Sequence, residues 1–221
     1  MNKRKRFIPG YAYLPIITLL ACTNIVYFFT KLTYDPSRTY DFSLSIDKAI
    51  PFLPEFILFY VLAYAQWVIG YIVIARDSRE TIYKAATADI LSKLICGIIF
   101  VALPTVMIRP EITGGSFFHW LTELIYKADT PAVNLLPSLH CLESWAVFRC
   151  SLKLKLPIAY KIAMGIMTFA VFLSVVFVKQ HILIDIPAGI LVFELAYLIV
   201  HFTKIDQKIA TLCKKKKKPS C

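Results

Sequence analysis

Residues 56–75 read FILFYVLAYAQWVIGYIVIA, twenty positions without a charged side chain. At about 1.5 Å of rise per residue, a helix of this length crosses the ~30 Å hydrocarbon core of a bilayer. Apolar on every side, it has no face for water. Outward from it long apolar runs recur at residues 11–30, 90–108, 162–178 and 182–203, with Lys93 near the start of the second and Asp185 and Glu194 in the last. A weaker one lies at 138–154, where Glu143, Arg149 and Lys153 interrupt the apolar residues and require cover from neighbouring helices. These segments predict an all-α polytopic membrane protein with about six transmembrane helices, residues 1–221 forming one integral membrane domain. A hydrophobic fraction of 58% with only 18% charged residues excludes an ordinary soluble domain. The first run follows MNKRKR, and no small-residue cleavage site precedes the polar loop at Lys31, so a retained span is expected rather than a signal peptide. Pro104 is expected to kink the third span.

Basic residues favour the cytoplasmic side of short loops. In a six-span layout one face collects 18 of the 25 Lys and Arg residues, from the N-terminal arm, from 76–84, from 149–161 and from the tail after 203. The other face holds six: Lys31, Arg38, Lys48, Arg109, Lys127 and Lys179. Both termini, as basic tails 1–9 and 204–221, are therefore expected in the cytoplasm of a cell or plasma membrane protein. The net charge of +11 then reflects topology and the anionic inner leaflet, and no nucleic-acid partner is expected. Between spans three and four, Phe117, Phe118, Trp120, Leu121, Leu124 and Ile125 fall at helical spacing, which predicts an amphipathic interfacial helix on the extracytoplasmic side. The six cysteines form no disulfide framework and no CxxC pair, and no metal site or cofactor is expected. Cys213 and Cys221 flank the terminal lysines and are read as free thiols; the ending KPSC is not a prenylation box.

On that extracytoplasmic face three stretches converge: IRP at 108–110, LPSLHC at 136–141 and SVVFVKQHILID at 174–185. His181 and Asp185 are four apart, which on a helix puts them on one face, so the carboxylate can fix one ring nitrogen and leave the other to attack or carry a proton. Burying such a pair at a membrane helix is costly unless it is satisfied, and a structural hydrogen bond is the alternative. Arg109 offers a planar fork of donors suited to phosphate oxygens, or it could snorkel to the interface. Pro137 suits a helix's first turn, which would leave N–H groups from Ser138 onward, with the Ser138 hydroxyl, for an anion. His140, one turn inside, could protonate a leaving alkoxide.

The order Arg-Pro, Pro-Ser-Leu-His and Ser-x6-His-x3-Asp resembles the type-2 phosphatidate phosphatase superfamily. The resemblance spans about 77 residues and the six-span layout. It implies His181 as the nucleophile that forms a phosphohistidine, Asp185 as its orienting group, His140 as the acid for the leaving group, and Arg109 with Ser138 as phosphate binders; Ser174 and Gly189 also match. It implies metal-independent chemistry on a lipid phosphate or phospholipid. Two cations of the family pattern are replaced by Ala102 and Val175, and Lys127 or Lys179 could substitute. In these gaps the chain resembles the sphingomyelin synthase and inositol phosphorylceramide synthase branch, which passes a phosphoryl headgroup to an alcohol.

The expectation is thus a lipid phosphatase acting on a phosphate or pyrophosphate. The alternatives are a headgroup transferase and a non-catalytic lipid-binding or carrier protein. Glu143, three residues after His140, could tune it or serve structure; Glu194 is expected to have a structural partner, and His119 and His201 to be interfacial.

Overall fold

The computed structural model describes residues 7–215, so the outermost parts of both basic tails, 1–6 and 216–221, with Cys221, lie outside the described residues. Among these residues there are helices and isolated bridges but no strand. The long helices are α1 (Tyr13–Leu32), α3 (Ile57–Asp77), α4 (Arg79–Ala102), α7 (Ile158–Phe177) and α8 (Asp185–Thr203). Between them lie α2 (Ser45–Ala49), α5 (Phe117–Ala128) and α6 (Leu139–Ser151), and α9 (Ile205–Lys215) follows α8. With the 3-10 turn Pro54–Phe56 leading into α3, five helices among the described residues are long and apolar enough to cross a membrane. Their outward faces are apolar, with Ile17 and Ile25 on α1, Leu62 and Ile69 on α3, Ile166 and Phe169 on α7, and Leu191 and Leu195 on α8 all exposed. The protein is an all-helical integral membrane protein.

The segment 138–154 forms the 13-residue α6, roughly 20 Å long and shorter than the other five. It packs against α3, α4, α7 and α8, and its polar residues find partners there. Ser144 accepts from the Trp67 indole at 2.9 Å, and its carbonyl accepts from Thr168 at 3.1 Å. Arg149 pairs with Glu194 at 2.9 Å, and the Trp145 indole donates to the same carboxylate. Glu143 reaches Lys93 of α4 at 2.5 Å, and Lys93 also holds Asp89 at 2.6 Å, one turn earlier on its own helix. Low hydropathy is tolerable in this segment because protein surrounds it and answers its charges.

Several boundaries differ from the sequence expectation. The charged stretch 76–84 is mostly helix, because Ser78 is at once the C-cap of α3 and the N-cap of α4, its hydroxyl accepting from Thr81 N–H at 3.0 Å. Pro104 does not kink α4 but ends it: the residue before a proline is pushed out of the helical region, and Leu103 sits at φ −137, ψ 71. The chain beyond runs extended, with Tyr40 N–H donating to Pro104 O and Val106 N–H to Tyr40 O, both at 2.9 Å. The tail continues as α9, whose inward residues Asp206, Ala210 and Cys213 recur at helical spacing and face α4, where Arg79 donates to the Ala210 carbonyl at 2.8 Å.

Candidate active site

The C-terminal ends of α1 and α4 and the N-terminal ends of α6 and α8 meet at one end of the bundle. Gly189 permits the closest of these approaches: a Cβ there would lie 2.6 Å from the Ser138 carbonyl oxygen and 3.2 Å from Leu142 N, both backbone atoms that cannot turn aside. Any larger residue would push α8 off α6 and break the bond from Ser138 N–H to Asp185 O, 3.2 Å long.

His181 Nδ1 is 2.9 Å from Asp185 Oδ2. The pair does not share a helix as its spacing predicts. Lys179, at φ 51, terminates α7, and Gln180 and His181 both donate their N–H groups to Val175 O at 2.9 Å, which leaves His181 in the turn before α8. Asp185 opens α8, and its Oδ2 accepts from Ile182 N–H at 3.1 Å as well. A carboxylate can only accept, so Nδ1 carries the proton and Nε2 is left with its lone pair.

His140, in the first turn of α6, is stacked on Tyr60 with ring centroids 4.0 Å apart and flanked by Trp67 and Tyr64. Its ring centroid is 6.4 Å from that of His181. Both histidines line one cavity of about 300 Å³ whose wall also includes Tyr27, Asp129, Gln180 and Glu143. His140 Nε2 is buried without a hydrogen-bond partner.

The other expected residues are placed differently. Ser138 is the N-cap of α6, its hydroxyl oxygen accepting from Cys141 N–H at 3.3 Å, and Pro137 precedes the cap instead of occupying the first turn. Ser174 is fully buried and donates to Val171 O at 2.8 Å. Neither serine lines the cavity. Arg109 also stands behind the wall, its guanidinium bonded to the Asp129 carboxylate and to Gln180 Oε1 and lying 4.8 Å from the Tyr126 ring centroid. Of the two positions lacking a cation, Ala102 is exposed at the end of α4 and Val175 is buried in an apolar cluster with Val171, Val178 and Tyr60. Lys127 and Lys179 do not compensate: Lys127 is exposed and pairs with Glu123, and Lys179 caps the carbonyls of Asp47 and Ile50.

Sequence reasoning missed the cation that does converge. Lys31, at the end of α1, reaches Asp129 Oδ1 at 3.0 Å, where the Tyr27 hydroxyl also donates. Only its place at a span mouth, on the same face as Arg109, marks it in the sequence. Burial pushes the Asp129 carboxyl up, but the Tyr27 hydrogen bond and the charges of Arg109 and Lys31 outweigh it and hold the group below its ordinary value. Asp129 is therefore anionic at neutral pH. The stability it contributes is present above the ordinary carboxylate value and is lost as pH falls through the lowered one.

The chain matches no protein-family model, no curated protein and no solved structure.

His119 of α5 is bonded to the cap residue Ser116, and His201 lies 3.0 Å from Lys84 Nζ at the opposite end of the bundle, where a cavity of about 360 Å³ is lined by both acids and bases, Asp77, Glu80 and Asp206 beside Lys84, Lys153 and Lys204. Among the described residues no three His, Cys, Asp or Glu side chains are grouped so that they could hold a metal ion.

Proposed function

We propose that the protein is a membrane-embedded lipid phosphatase that acts through a phosphohistidine, in the manner of the type-2 phosphatidate phosphatase superfamily. The observation that carries this reading is the pair of histidines facing one cavity, with only His181 tied to a carboxylate. His181 Nε2 attacks phosphorus, the N–P bond forms as the P–O bond to the lipid breaks, and His140 gives its proton to the departing alkoxide. His140 then takes a proton from water, whose oxygen displaces His181 from phosphorus and frees inorganic phosphate. Asp185 stabilises the imidazolium through both steps.

A transferase is the second reading, and one observation favours it: the cavity continues along α6 past His140 to Glu143, Thr23 and Asn24, polar enough to seat an alcohol. Purified protein given a lipid phosphate, or a phospholipid with diacylglycerol, ceramide or inositol, separates the two. Phosphate release unaffected by any alcohol is expected, and a donor consumed only when an alcohol is present would replace the phosphatase by the transferase.

In the membrane, α6 serves as the fourth of six transmembrane segments, the site opens to the extracytoplasmic face, and α5 lies in the interface. The charge distribution supports this orientation, since Arg76, Arg79, Lys84, Lys153, Lys161 and Lys204 gather at the end opposite the site. With the native cysteines removed, a cysteine at Ser43 should react with an impermeant thiol reagent in intact cells, and one at Ser78 should not. The reverse labelling would move the site to the cytoplasmic face.

A further inference from the structure

Asp129 is held like a ligand. Its carboxylate takes an ammonium from α1 (Lys31), a guanidinium from the segment after α4 (Arg109) and a phenol from α1 (Tyr27). Asp129 lines the cavity together with Gln180, while Lys31 and Arg109, the cations they cover, do not. The carboxylate thus stands between the reaction cavity and the two cations. Nearby, Arg109 Nε, Gln180 Nε2 and His140 Nε2 are buried with no hydrogen-bond partner, more polar capacity than a two-oxygen carboxylate can answer. Asp129 is also the C-cap of α5, whose Phe117, Trp120 and Leu124 are exposed, so the carboxylate is carried on the end of an amphipathic helix.

We infer that Lys31, Arg109 and Tyr27 form the seat of the substrate phosphate, that Asp129 occupies this seat in the unliganded protein, and that substrate binds by displacing it. Resting on the proposed phosphatase, this also names the substrate class. Two cations balance the two charges of a phosphate monoester, whereas a phosphodiester carries one, no more than the carboxylate it must replace. The seat therefore selects a terminal phosphoryl group over a diester, and Lys31 supplies the second cation that Ala102 and Val175 cannot.

The test is binding, measured with the full-length protein in detergent and with inorganic phosphate as the probe, beside dimethyl phosphate. Asp129→Asn should tighten inorganic phosphate by roughly tenfold and Lys31→Met should weaken it by about as much, the size of one charge-assisted hydrogen bond. Dimethyl phosphate should bind worse than inorganic phosphate to both the wild type and Asp129→Asn. A second measurement needs no variant: saturating phosphate should speed trypsin cleavage after Lys127 in the wild-type protein, because α5 loses its anchor. If Asp129→Asn weakens phosphate or leaves it unchanged, or if phosphate slows that cleavage, Asp129 is a fixed clamp on Arg109 and the inference falls. Phosphate tightening in a protein that hydrolyses no lipid phosphate would retain the seat and overturn the phosphatase; turnover without tightening would do the opposite.

Discussion

Replacing His181 by alanine should lower turnover of a lipid phosphate by on the order of 10⁴-fold or more, because among the described residues that line the cavity His181 is the histidine oriented by a carboxylate. His140 faces the same cavity, but no hydrogen bond fixes its Nε2 and no carboxylate stands behind it. Asp185 gives a graded control. Its Oδ2 alone receives both His181 Nδ1 and Ile182 N–H. An asparagine oxygen in that place can accept both, so Asp185→Asn keeps ring orientation and tautomer and loses only the charge that stabilises the imidazolium. Asp185→Ala loses all three. The expected order of rates is wild type, then Asp185→Asn, then Asp185→Ala, then His181→Ala. Single-turnover labelling with a ³²P lipid phosphate should trap an acid-labile phosphoenzyme in the wild type and none in His181→Ala. Near wild-type turnover by folded His181→Ala would end the phosphohistidine mechanism.

Lys93→Met should destabilise the protein by about 3–5 kcal/mol, the cost of stranding buried charge partners. Lys93 is fully buried, as is Asp89, and Glu143 is 3% exposed, so solvent cannot compensate. The three groups are unequal. One ammonium serves two carboxyl groups, so Glu143→Gln leaves a one-to-one pair with Asp89, while Lys93→Met leaves two carboxyl groups and no cation. Thermal unfolding in detergent should place Lys93→Met far below Glu143→Gln. The triple replacement Asp89→Leu, Lys93→Met and Glu143→Met should recover most of the loss, because a buried ion cluster exchanged whole for apolar side chains of similar volume costs little. Equal destabilisation by Lys93→Met and Glu143→Gln would show that Glu143 matters for something other than this cluster. Its place on the cavity wall beside His140 would then be the next suspect.

Properties carried by neighbours in the chain were legible in the sequence. Runs of about twenty residues with no charge in α1, α3 and α7, and a run as long and nearly as apolar in α8 despite Asp185 and Glu194, determine that these helices lie in a membrane, since length and apolarity suffice. The period of Phe117, Trp120, Leu121 and Leu124 determines an amphipathic α5, and the four-residue spacing of His181 and Asp185 keeps them bonded even though α7 ends before them. Helix ends were less legible, because charge masks them: RDSRETIYK reads as a charged stretch between two spans but holds the end of α3 and, under the Ser78 cap, the start of α4, and the basic tail hides the inward stripe of α9. What brings charges together was decided by tertiary structure alone. Lys31 and Arg109 meet Asp129 from 98 and 20 residues away, and Lys93 meets Glu143 across the packing of α4 on α6. A lone charge at a span mouth reads the same whether it faces headgroups or a partner. Only helix packing, set by small residues such as Gly189 and by the cost of an unpaired charge in an apolar interior, selects which it meets.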